Sequence, residues 1–361
     1  MTEEKQISSH YDIVIVGAGP AGANFARLIA PKRYRTLLID GSAGHDKVCG
    51  GLLSPDAQDI LARYDISLPR DILASPQLFS VRTVDLANGM TRYYRRSYIN
   101  VDRRRFDDFL RSLIPPQVTQ LAGRCENIRV IPAGYSLTVG GREITCTYLI
   151  GADGASSIVR RSLFADSPIK KYIAIQQWFP AEGNAPYYSC LFDNATSTGC
   201  SWIFFKDGML IFGGAFDNPN GRAAFEAQKQ KLIAHGLVRP ETVQIPAKTE
   251  ACTVLRPTWR RGIQRGAGNA FLIGEAAGLI SPSSFEGISY ALASAEALAD
   301  AFDTGAEDAH IRRLYHSRSQ KLVRKIRLRT LKRPFMYHRL LRTCVLKSGI
   351  TAIHIRKEDR S

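Results

Sequence analysis

The sequence predicts an α/β fold: a Rossmann-like domain discontinuous along the chain, an inserted antiparallel-sheet domain, and a basic helical C-terminus. Three observations carry that prediction. An apolar run, a glycine turn, a helical stretch and a second apolar run follow one another between Tyr11 and Asp40. An apolar run ending in a glycine turn returns at Tyr148–Gly154 and again at Ala270–Gly278. Between these returns the pattern changes to alternation, the period of half-buried antiparallel strands.

Tyr11–Val16 is a short β-branched strand that stops at Gly17, and Ala23–Ala30 reads as a helix. A basic turn, 31–35, leads to a second strand, Thr36–Ile39, and the acid Asp40 stands 23 residues after the first glycine. This is the structural context that a dinucleotide fingerprint requires. Gly17 permits the tight turn, Gly19 lets the backbone approach a pyrophosphate, and Gly22 lets helix and strands pack closely. Ala18, Pro20 and Ala21 complete the loop, and Pro20 is tolerated because an early helical N–H has no partner in the helix. Free N–H groups and the positive end of the helix dipole would hold a diphosphate, with Asp40 on the adenosine ribose.

Residues 69–98 alternate, and Asp102 is set to cap a helix opening at Arg103. Short alternating runs from Cys125 to Thr147 read as a β-meander, and residues 169–261 are strand-rich with a helix near Arg222–His235. The last glycine turn precedes a helix, Gly287–Phe302. The predicted domains are 8–68, 101–166 and 263–310 for the nucleotide layer, 69–100 and 167–262 for the inserted layer, and 311–361 for the basic segment.

Composition limits the function classes. With 361 residues, 45% hydrophobic and 23% charged, the chain is neither disordered nor a rod. No apolar run reaches the roughly 20 residues needed to cross a bilayer. The polar, acidic start matches neither a secretory signal nor a transit peptide. Seven cysteines without a CxxC pair and seven histidines without ligand spacing predict a reducing, cytoplasmic setting and no metal site. No nucleophile elbow is present, so hydrolysis is not expected. The net charge of +16 is concentrated at one end: residues 311–361 hold 16 Lys and Arg against 2 acids, which leaves the first 310 residues near neutrality.

These motifs resemble a known family. The three turns are similar to the fingerprints of flavoproteins with the para-hydroxybenzoate hydroxylase type of fold, and among them the geranylgeranyl reductases. The resemblance is closer to the CbrA group of FAD-dependent oxidoreductases. It rests on KVCGGLLSPDAQ, FSVRTVDL, RSYINV, AIQQWF, GADGASSIVRR and FLIGEAAGLISPSSFEGISYAL, and spans residues 11–350. The resemblance implies FAD, with Gly17, Gly19 and Gly22 at its diphosphate, Asp40 at its adenosine ribose and Arg103 near its phosphates. Asp153 and Gly154 belong to a second fingerprint completed by Ser157 and Arg160. The third, usually Gly-Asp with its acid on the ribityl chain, here reads Gly274-Glu275, one methylene longer. Gly278, Pro282, Gly287 and Ile288 would cover the pyrimidine end of the flavin. Lys47, Cys49, Gly50 and Gly51 form the loop that the family sets beside the isoalloxazine ring. Cys49 either lines the reaction site, as proton relay or orienting group, or fills a tight loop as a small side chain. Reductases of the family carry Tyr-x-Trp-x-Phe-Pro; here the stretch lacks the Tyr and the Pro but keeps Trp202 and Phe204 as pocket walls.

Several alternatives stay open at this level. The aromatics between Trp178 and Phe216 form a sheet's core face or wall a long apolar pocket. His45 is a solvated loop residue or a proton donor. The basic segment 311–361 packs on the nucleotide layer with a solvated face, or rests on an anionic membrane surface as a peripheral protein on the inner face of the cell membrane; nucleic acid is not expected, because no recognition motif accompanies the charge. The expected function is reduction of C=C bonds in a prenyl or other long apolar lipid, by electrons from a transient donor, NAD(P)H or a redox protein. A flavin monooxygenase acting on an aromatic or lipid substrate, and a membrane- or partner-binding flavoprotein with little turnover, stand beside it.

Overall fold

The computed structural model describes residues 7–41, 47–183, 185–217, 220–303 and 308–354. These described residues build two sheets, of eight and nine strands. In the first, Ala270–Leu272, Arg142–Gly151, His10–Val16, Thr36–Asp40 and Thr119–Ala122 lie side by side and parallel, with Gly266–Ala267 antiparallel at one edge. Ile13 to Val16 are buried because this sheet is covered on both faces, the usual state of parallel strands. Helices Pro20–Ile29, Arg103–Ser112 and Ile288–Phe302 bury one face. The hairpin Cys125–Ile131 and Gly134–Val139 continues into Arg142–Gly151 as the expected meander, and with Val323 and Ile326 it covers the other face.

The second sheet runs Lys248–Arg256, Lys170–Pro180, Met209–Asp217, Ser201–Lys206, Tyr187–Phe192, Leu78–Asp85, Met90–Asn100 and Ala352–Ile353, with Leu52–Leu53 on Met90–Asn100. It is antiparallel except where Tyr187–Phe192 joins Leu78–Asp85 in parallel. Between these two strands the chain runs through Met90–Asn100, the first sheet and Lys170–Pro180, and a long connection of this kind is what a parallel pair requires. Strand alternation resolves the aromatic cluster. Phe212 and Phe216 point to helix Gly221–Ala234, where Phe212 stacks on Phe225 at 4.7 Å, while Trp202 and Phe204 point to the opposite face.

The C-terminus is helical, as expected: Asp308–Arg318, Gln320–Tyr337 and Arg339–Ser348. Its inner side packs firmly. Val323 and Ile326 enter the core of the first sheet, and Arg342 makes a two-pronged pair with the fully buried Asp85, at 2.8 and 2.9 Å.

Candidate active site

A cavity of about 1750 Å³ is lined by residues of both sheets and of helix Gln320–Tyr337. Its size exceeds the roughly 300–1,000 Å³ of an ordinary small-molecule site, enough for a dinucleotide and a second ligand together. Gly17, Ala18, Gly19, Pro20, Ala21 and Asp40 form one end. The turn there is tight: a Cβ on Gly17 would meet the Ala152 carbonyl at 2.7 Å, and one on Gly22 the Gly17 carbonyl at 1.8 Å. Gly22 therefore serves packing and stays off the wall. On Gly19 a Cβ would meet no protein atom within 4 Å. Asp40 ends its strand with Arg111 nearby, Nε to Oδ2 3.9 Å.

Asp153 and Gly154 line the wall next to this turn. Asp153 Oδ2 accepts the N–H groups of Ile158 and Val159 at 2.6 and 3.4 Å, while buried Oδ1 has no partner among the described residues. Burial raises the pKa of this carboxyl. Ser157 caps the following helix through Arg160 N–H at 2.9 Å. The Arg160 guanidinium then donates to Ala276 O at 2.8 Å and Gly262 O at 3.0 Å, tying the second glycine turn to the third.

Glu275 also lines the cavity, and its oxygens are engaged by the protein: Oε1 accepts Leu255 N–H at 2.9 Å and Oε2 pairs with Lys47. The longer side chain thus links the third turn to the second sheet and to the 47–50 loop. Gly287 and Ile288 bring the N-terminus of a 15-residue helix to the wall. Gly51, Gly274 and Gly278 lie off it, each in a turn packed against Val101, Ser294 and Gly262 respectively.

Lys47, Cys49 and Gly50 line the middle of the cavity. Cys49 Sγ accepts the Gly51 N–H at 3.5 Å, so the thiol shapes its turn and faces the cavity as well. Arg103 stands beside it, paired with Asp107 at 2.9 Å. His45 lies outside the described residues.

Trp202 and Phe204 were named from the sequence as pocket walls; several other side chains here escaped that reading. Lys206, buried, donates to Gly50 O at 2.7 Å and Val101 O at 2.6 Å, pinning the cysteine loop; burial lowers its pKa to about 8. Tyr98 donates to Glu286 Oε1 at 2.8 Å and accepts from Arg96 Nε at 2.8 Å, and Arg329 reaches Glu286 from the C-terminal helix at 3.4 Å. Burial, then Glu286, hold the Tyr98 hydroxyl well above its usual pKa, so it keeps its proton. Trp202 walls the far end with Tyr188 and Phe204, its Nε1 donating to Gln176 Oε1 at 3.1 Å. Cys190 and Cys200 share that wall with sulfurs 3.1 Å apart. The Cys200 contact, then burial, keep the Cys190 thiol protonated. The contacts that position them join distant parts of the chain: Lys206 to Gly50 and Val101, Tyr98 to Glu286, Trp202 to Gln176.

Comparison with known proteins agrees with this geometry. The profile of the FAD binding domain family matches residues 130–326, and that of lycopene cyclase protein matches residues 12–172. Protein CbrA of Escherichia coli strain K12 is 42% identical over 354 residues, covering 95% of this chain and 98% of that protein. Among solved structures, a geranylgeranyl bacteriochlorophyll reductase-like protein from Thermoplasma acidophilum superposes with a TM-score of 0.78 at 18% identity, covering 95% of this chain and 92% of that one. PqsL, a probable FAD-dependent monooxygenase from Pseudomonas aeruginosa, gives 0.71 at 17% identity, covering 94% and 100%. At such identities these two structures speak for the fold alone.

Fold and site define a FAD-dependent oxidoreductase. Within that class the chain belongs to the CbrA family. The wall fits FAD: an open cradle at Gly19, the unpartnered Oδ1 of Asp153, and the N-termini of helices Pro20–Ile29 and Ile288–Phe302 all offer what a diphosphate or a flavin edge needs.

Proposed function

We propose that this oxidoreductase reduces C=C bonds in a prenyl or other long apolar lipid. The observation that carries the reading is the continuity of the cavity, from the glycine turn at Gly17 to an apolar wall of Val81, Tyr188, Trp202, Phe204 and Met336. A small polar substrate needs no such wall. Bound FAD supplies the hydride-transfer chemistry, and the protein supplies orientation, dryness and a proton. Gly17 to Ala21, Asp153 and the start of helix Ile288–Phe302 bind the cofactor, and Lys206 fixes the 49–51 loop beside it. Trp202 and Phe204 exclude water. An isolated alkene has no carbonyl to absorb charge, so reduction needs a proton close at hand. The hydroxyl of Tyr98 and the thiol of Cys49 are the groups on the cavity wall that we assign to that step. The electron donor binds transiently, since the sequence carries no second GxGxxG for a nicotinamide domain.

The test is a single-turnover experiment. The FAD-loaded protein is reduced with dithionite without oxygen and mixed with a geranylgeranyl lipid. Reoxidation of the flavin, with product heavier by two hydrogens per bond, is expected. Flavin that stays reduced without oxygen but yields hydroxylated lipid when oxygen is admitted would establish the monooxygenase reading instead.

A further inference from the structure

We propose that the C-terminal helices dock the protein on an anionic lipid bilayer, with the outer face of Gln320–Tyr337 and of Arg339–Ser348 seated in the headgroup region. Exposed apolar side chains concentrate here. Of the thirteen large hydrophobics exposed among the described residues, eight fall between Leu328 and Ile353. Along Gln320–Tyr337, Leu328, Leu331 and Phe335 recur at spacings of three and four and are each more than half exposed. Lys321 and Arg324 continue the same stripe toward the N-terminus of that helix. Val323, Ile326 and Tyr337, on the opposite side, are the residues that pack inward. Packing therefore accounts for one face of the helix and leaves the other apolar face without a partner among the described residues.

Charge says what that partner is. Residues 309–354 contain thirteen Lys and Arg and no acid. Among the described residues Lys321, Arg324, Arg327 and Lys332 have no carboxylate partner, whereas Lys325, Arg329 and Arg342 are paired inward with Asp56, Glu286 and Asp85. Unpaired cations flanking exposed Leu and Phe are the composition of a helix lying in a membrane interface, where acyl chains take the apolar stripe and phosphates the cations. A nucleic-acid surface would use the same cations but would leave Leu328, Leu331 and Phe335 in water. Docking does not depend on the reaction assigned above. It does add a route, because Arg329, Lys332 and Met336 of this helix line the cavity.

The experiment uses full-length, FAD-loaded protein and sedimentation with phosphatidylcholine vesicles, with and without phosphatidylglycerol, in rising NaCl. Binding that requires phosphatidylglycerol and weakens with salt is expected. Both L331S/F335S and K321E/R324E should weaken it by about tenfold or more, with flavin content and melting temperature unchanged. In a Phe335→Trp protein the indole emission should move to the blue on binding. Lack of sedimentation with anionic vesicles at low salt would overturn the proposal, as would an unshifted indole emission. Undiminished binding by L331S/F335S, or tighter binding to an RNA homopolymer than to vesicles, would also do so. None of these readouts involves turnover, so they stand apart from the lipid-reduction test.

Discussion

A Cβ on Gly22 would overlap the Gly17 carbonyl, whereas a Cβ on Gly19 has open space around it. The two glycines therefore make opposite predictions. Gly22→Ala should not accumulate as folded protein. Gly19→Ala has an allowed φ of −71° and sits at an N-cap, so it should cost about 1 kcal/mol or less in the cofactor-free protein. It should nevertheless lower FAD affinity by about tenfold or more, because its methyl stands where the backbone must approach the pyrophosphate; unchanged flavin retention on gel filtration would refute that role. Lys206 gives a second prediction, in pH. Its folded pKa of about 8 lies below the ordinary 10.5 because it is buried. Below pH 8 both states hold the proton and the cost of burying the ammonium is complete. Between 8 and 10.5 only the unfolded chain holds it, so stability from this group rises with pH. The difference in unfolding free energy between the parent and Lys206→Met should therefore shift in the parent's favour by roughly 3 kcal/mol from pH 7.5 to 10.5. A difference independent of pH would mean that the ammonium is not desolvated.

The elements themselves were readable because their causes are local. Asp102 was legible as a cap and does accept Arg105 N–H at 3.0 Å. The strand at Tyr11, the helix near Arg222 and the meander after Cys125 follow from period and glycine placement over a few residues. What holds the C-terminal helices was not legible, since Arg342 and Asp85 are 257 residues apart and nothing in the stretch FSVRTVDL, which contains Asp85, points to Arg342. The same distance problem hid Tyr98–Glu286, separated by 188 residues. Charge density alone pictured 311–361 as a basic surface, but its most consequential arginine points inward. Arg342→Ala leaves the Asp85 carboxylate buried and unpaired, which costs about 3–5 kcal/mol. Arg342→Lys should fall between, since an ammonium cannot reproduce the fork. Urea unfolding measures the loss, and limited proteolysis should show new cleavage beyond His338. If Arg342→Ala unfolds at the parent's midpoint, the pair does not anchor the segment.

At the scale of the whole molecule, the cavity exists because two sheets are held at one separation, and Glu275 is a direct link between them. The sequence displayed its extra methylene but could not say what it spans, because Leu255 and Lys47 come to it from other parts of the chain. Its side chain is 5% exposed and bonds Leu255 N–H in the second sheet while pairing with the half-exposed Lys47. The two contacts separate by substitution. Glu275→Asp keeps the charge but shortens the arm, so it cannot hold both contacts. Retaining Lys47 strands the buried Leu255 N–H, at about 1–3 kcal/mol. Glu275→Gln keeps the length and an acceptor for Leu255, and gives up only an ion pair with a partly solvated lysine, about 1 kcal/mol or less. The expected order is therefore the reverse of what charge conservation suggests: Glu275→Asp should be the less stable protein and should release FAD faster, because the sheets that enclose the cofactor separate. Equilibrium unfolding and flavin dissociation rates for the two variants decide the matter. If Glu275→Gln proves the more damaged of the two, the carboxylate acts through its charge on the 47–50 loop, and the bridge to Leu255 is incidental.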